Sequence, residues 1–196
     1  NGESLVRQFL YGKKFIREEF DVESKVCWLP DVFGYTASLP QIMKKSEVDY
    51  FMTSKISWND TNDFPYSVFH WEGIDGTNVL THVPRVLLPY TYNGEVDADK
   101  IIKVRDNYEK QKENEQDEFK YGDSSNYFKQ DRVIPDDQLI YIYGYGDGGG
   151  GVTPGFINKI KRFDKLPYMP KLEFAQPREY FENLEEDMEI NNREYP

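Results

Sequence analysis

Four short apolar runs, each closing on a polar residue where a buried strand would end, constrain this chain more than any other feature. VCWL runs into Asp31, YFMTS into Lys55, NVLT into His82, and IYIYGYG into Asp147. Runs of this length, rich in β-branched and aromatic residues, read as strands. Segments of helical character stand between them. Residues 3–20 place Leu5, Phe9, Phe15 and Ile16 near helical spacing, with Ser4 as the expected cap. A second helix is expected around SLPQIMKKSEV, and DYFMTSKISW reads as the next strand. SVFHWEG and NVLTHVP, joined through Asp75-Gly76, predict a hairpin whose second arm enters the sheet. Residues 97–118 predict a helix, TPGFINKIKRF another, PKLEFAQP a strand and REYFENLEEDM a last helix. Residues 119–138 carry turn formers and charge without a period, which predicts a loop excursion. Strands alternating with helices imply the α/β class, with a mainly parallel sheet and flanking helices, either open or part of a barrel.

Composition narrows what such a fold can bind. A chain of 196 residues is long enough for one domain with a sizeable core, so 1–196 is expected to be a single unit. Its formal net charge of −11 repels phosphate, which argues against nucleic acid and against an anionic membrane surface. Neutral or cationic ligands suit it better. Sugars are neutral, and 15 Tyr and 13 Phe offer flat faces on which pyranose rings pack. Cys27, the lone cysteine, cannot form an internal disulfide, so a reducing, cytoplasmic setting is expected. No apolar run approaches the about 18 residues of a membrane span. The opening NGESLVRQFL reads as entry into a helix rather than a leader, and we expect the chain to be an excised piece of a longer protein.

In parallel α/β sheets, ligands bind at the carboxyl rim, where the loops after the strands supply the working groups. Asp31 and Asp147 would share that rim. Two carboxylates there are what glycoside hydrolysis requires, one acting at the anomeric carbon and one protonating the leaving oxygen. Each residue also has a plainer reading. Asp31 could cap a helix, form a turn or neutralise a buried cation. Lys55 could be a surface cation, and His82 and His70 could be structural histidines. Two histidines do not make a complete His-rich zinc site. Asp147 precedes four glycines, a run that persists where backbone takes positive φ or approaches a ligand closely. Gly144, Gly146 and Gly149 spell the dinucleotide fingerprint formally, but Asp147 inside that loop would repel a pyrophosphate.

WLPDVFGYTASLPQI, FMTSKISWND, FPYSVFHWEGIDGTNVLTHVP and YGYGDGGGG, in this order and at these separations, resemble the catalytic domain of glycoside hydrolase family 38 α-mannosidases. GESLVRQFLYGKKF and PREYFENLEED fit as well, so the resemblance covers essentially the whole chain and is greatest to the cytosolic and bacterial branch. It implies a fragment of a seven-stranded β/α barrel and a zinc-dependent, retaining hydrolase of mannose-containing oligosaccharides. It implies that Asp31 is both nucleophile and zinc ligand, that Asp147 is the general acid/base, and that Lys55 and Tyr92 lie by the substrate. The family's remaining zinc ligands, a His-x-Asp pair and a later histidine, have no counterpart here, and Val152-Thr153-Pro154 departs from the usual Pro-Thr after the glycines. The expected partners are therefore the oligosaccharide and the remainder of a parent polypeptide. The alternative is a catalytically silent carbohydrate-binding α/β domain.

Overall fold

A computed structural model of the chain describes residues 1–57, 61, 64, 66–84, 96–113, 138–145 and 150–190. They belong to two compact units, one formed by Asn1–Ile56, Val68–Val83 and Gln176–Pro196, the other by Ser57–Ser67 and Pro84–Ala175.

The first unit holds the sheet. Helix α1 (Gly2–Phe20) is capped by Asn1, whose Oδ1 accepts from the Ser4 backbone N–H at 3.0 Å, so the cap lies three residues before the expected Ser4. Strands β1 (Val26–Leu29) and β2 (Tyr50–Thr53) flank helix α2 (Leu39–Lys45), and β3 (Val68–Glu72) and β4 (Asn78–His82) form the hairpin. The sheet runs β1-β2-β4-β3. β1 is parallel to β2 and β2 to β4, while β3 pairs with β4 antiparallel. It is a mixed four-stranded sheet, with three parallel strands whose carboxyl ends share one rim. The hairpin turn needs Gly76 because φ there is 80°, where a side chain is strained. Asp75 completes it by accepting from the Thr77 N–H at 3.1 Å.

Alternation along the strands sends side chains to two faces. One carries Cys27, Phe51 and Val79 and packs on Leu39 and Met43 of α2, with Phe9 of α1 at the margin. Burial there pushes the Cys27 thiol up to about 12, so it serves as a small apolar side chain. The opposite face meets α5 (Pro177–Ile190). Tyr50 stacks on Phe181 with ring centroids 5.0 Å apart, and its hydroxyl donates to Glu185 Oε2 at 2.6 Å. Phe51, Met43, Met52, Phe181 and Leu184 are fully buried, and each contributes about 1.5–3 kcal/mol through its removal from water.

In the second unit, helix α3 (Ala98–Glu113) and helix α4 (Pro154–Phe163) are described. Thr153 caps α4, its hydroxyl accepting from the Phe156 N–H. Val96, Phe156 and Ile160 make a small core with Tyr143, Phe163 and Leu172 around it. Two expected strands are not formed among the described residues. Among the described residues the run at 139–145 makes no ladder, and Tyr145 forms an isolated antiparallel bridge with Gly150. PKLEFAQP is likewise irregular, because Leu172 turns its N–H to Asp164 Oδ1 at 3.2 Å, at the end of α4, rather than to a neighbouring strand. The expected loop excursion at 119–138 lies almost wholly outside the described residues. Among the described residues, no helix is long and apolar enough to cross a membrane.

Candidate active site

Asp31 sits two residues past the end of β1, and Lys55 two past the end of β2, the strand beside it. Parallel pairing in which Leu29 stands opposite Thr53 therefore brings the two positions together at the carboxyl rim. Lys55 Nζ lies 3.0 Å from Asp31 Oδ1. The pair is asymmetric: the lysine side chain is 1% exposed and the aspartate 59%. Lys55 is thus not a surface cation. Its ammonium also lies 5.5 Å from the centre of the exposed Phe33 ring, within cation–π range. An ammonium withdrawn from water requires a counter-charge, and Asp31 supplies one while keeping its own carboxylate open to solvent. Nor does Asp31 cap a helix, since α2 begins after Ser38.

The two turns are further joined by hydroxyl groups. Ser54 Oγ donates to the carbonyl of Pro30. Tyr35 donates its hydroxyl to the Val32 carbonyl at 2.6 Å, and Thr53 Oγ1 bonds to the same phenol oxygen. Burial raises the Tyr35 pKa despite that bond to Thr53, so the phenol stays protonated and able to donate. Where DYFMTSKISW was expected to continue as a strand, the chain leaves the sheet after Thr53 and forms a 3₁₀ turn at Lys55–Ser57. Thr53, Ser54 and Lys55 are all buried at this exit. Sequence reasoning singled out Lys55 and passed over Thr53, Ser54 and Tyr35. The available signal was three consecutive polar residues directly after an apolar run.

His82 ends β4 but belongs to the face covered by α5. Its Nδ1 bonds to the Tyr180 hydroxyl at 2.6 Å, as a structural histidine would. Complete burial lowers its pKa to about 3, so the ring is neutral. His70 is exposed on β3 rather than packed in a core. Asp147, Tyr92, Gly146 and Gly149 lie outside the described residues. The glycine run is described at its far end, where a Cβ on Gly150 would meet Tyr145 Cβ at 2.6 Å; a close backbone approach demands glycine there.

A metal ion finds too few ligands here. Asp31 Oδ1 is engaged by Lys55, and among the described residues no three His, Cys, Asp or Glu side chains cluster to hold an ion. Zinc sites take about three or four protein ligands, so the described residues do not fit one by themselves.

Residues 1–196 match the glycosyl hydrolases family 38 N-terminal domain over their whole length. The chain belongs to glycosyl hydrolase family 38. Alpha-mannosidase G of Dictyostelium discoideum is 39% identical over 94% of this chain and 15% of its own length. Alpha-mannosidase 2C1 of Homo sapiens is 35% identical over 96% of this chain and 16% of its own. An alpha-mannosidase structure from Enterococcus faecalis V583 matches 54% of this chain and 12% of that one, at 20% identity and a TM-score of 0.38, too low to argue from. The chain thus spans about one-sixth of the length of these curated relatives.

Proposed function

We propose that this family 38 domain works in a retaining α-mannosidase that hydrolyses terminal α-mannosidic linkages of oligosaccharides. The supporting observation is Asp31, a carboxylate open to solvent at the carboxyl rim of parallel strands and held from behind by a buried ammonium. In this mechanism an Asp31 oxygen attacks the anomeric carbon as the bond to the leaving oxygen breaks, forming a mannosyl-aspartyl ester. Asp147 gives its proton to the departing oxygen and then takes one from the water that cleaves the ester. Retaining chemistry sets the two carboxyl groups about 5 to 5.5 Å apart. Lys55 holds Asp31 toward the substrate, and Tyr92 contacts the sugar.

Zinc enters this proposal with Asp31 as one ligand and the remaining ligands from outside the described residues. The sheet would be one segment of a seven-stranded β/α barrel, and the enzyme would act in the cytoplasm. Hydrolysis of an aryl α-mannoside by the full-length protein, compared with Asp31→Asn, tests the assignment. We expect kcat to fall by at least about 10³-fold in the variant, the scale on which loss of a nucleophile is felt. Unchanged turnover would remove Asp31 from the role. Mannoside binding without turnover in the unaltered protein would favour the silent carbohydrate-binding domain.

A further inference from the structure

The backbone is gripped from the end of β2 on both sides of Asp31, at Pro30 and at Val32. Ser54 Oγ donates to the Pro30 carbonyl immediately before it. On the other side of Asp31 the Val32 carbonyl, one residue further along the turn, accepts from Tyr35, whose phenol oxygen bonds to Thr53 Oγ1. A carbonyl can only accept, so the Tyr35 proton goes to Val32 and the Thr53 proton to Tyr35. Lys55 then takes the side chain itself, Nζ to Oδ1 at 3.0 Å. Three consecutive residues of one strand end thereby engage the Asp31 turn: Ser54 at the backbone before it, Thr53 through Tyr35 at the backbone beyond it, and Lys55 at its carboxylate. All three are buried, although Thr, Ser and Lys are residue types usually exposed.

We propose that Thr53, Ser54 and Tyr35 are positioning residues that fix the backbone of the Asp31 turn, so that its free carboxylate oxygen meets the reacting carbon in one orientation. The proposal rests on the nucleophile assignment above and adds to it a source of preorganisation. Holding the aspartate side chain alone leaves its turn free to rock. Holding the Pro30 carbonyl before it and the Val32 carbonyl beyond it restricts that freedom before substrate arrives. Tyr35 is itself anchored for this task, its ring edge-on to Phe51 at 5.1 Å and to Trp71 at 6.1 Å between centroids.

Thr53→Val and Tyr35→Phe each delete one hydroxyl and keep the packing. In the full-length protein, assayed on an aryl α-mannoside, each should lower kcat by about 10-fold with KM changed less than about 2-fold, because a misplaced nucleophile is felt in the transition state alone. The double variant should lose no more than either single one, since both cut the same link. Thr53→Ser, which keeps the hydroxyl, should restore kcat. Wild-type kcat in both single variants, losses that multiply in the double variant, or a fall in kcat matched by a fall in thermal midpoint would overturn the positioning role. Failure of the nucleophile assignment would show separately, as an Asp31→Asn protein that still turns over.

Discussion

Two buried basic side chains meet their burial in opposite ways. Lys55 is accompanied by a carboxylate, Asp31, and stays at the rim as part of the candidate site. His82 has a phenol beside it instead, and its Nε2 has no hydrogen-bond partner among the described residues. Complete burial therefore pushes its pKa from 6.5 down to about 3. A histidine whose folded pKa is depressed favours the folded state fully above its unfolded value, and that advantage shrinks as pH falls from 6.5 toward 3. Each pH unit in that window should cost up to about 1.4 kcal/mol from this residue. Urea unfolding at pH 7 and pH 4.5 measures it, and His82→Gln should flatten the difference between the two.

At the scale of elements, α5 closes the sheet face opposite α2 through three anchors of different chemistry. Phe181 stacks on Tyr50, Leu184 is fully buried, and Tyr180 reaches His82. Burial and the Glu185 carboxylate both raise the Tyr50 pKa, so its hydroxyl remains a donor to that helix. Leu184→Ala removes buried methyl groups and should cost about 2–5 kcal/mol. Tyr180→Phe keeps the ring but strands His82 Nδ1, and should cost about 1–3 kcal/mol. Denaturant midpoints of the two variants test whether the helix is held by packing more than by its polar link. The expected helix at REYFENLEEDM is present, and its spacing of Tyr180, Phe181 and Leu184 marks the buried stripe. PKLEFAQP, equally apolar by composition, made no strand: a strand needs a neighbour, and its Leu172 N–H donates to the Asp164 side chain instead.

For the molecule as a whole, the formal charge of −11 is a property no local arrangement cancels. We expect labelled duplex DNA to show no change in fluorescence anisotropy when the protein is added near 0.15 M salt, because like charge repels over the Debye length of about 8 Å. Binding there would require a concentrated basic face. The sequence by itself determined the α-β order of the first unit, the hairpin at Asp75-Gly76 and the placing of Asp31 and Lys55 at neighbouring strand ends, since periodicity, turn chemistry and strand-end polarity are local signals. Tertiary structure alone decided that the sheet is mixed, that Lys55 is buried against Asp31, and that Thr53, Ser54 and Tyr35 brace the turn between them. Those outcomes depend on which strand lies beside which and in what register, and register is set by packing between residues far apart in the chain.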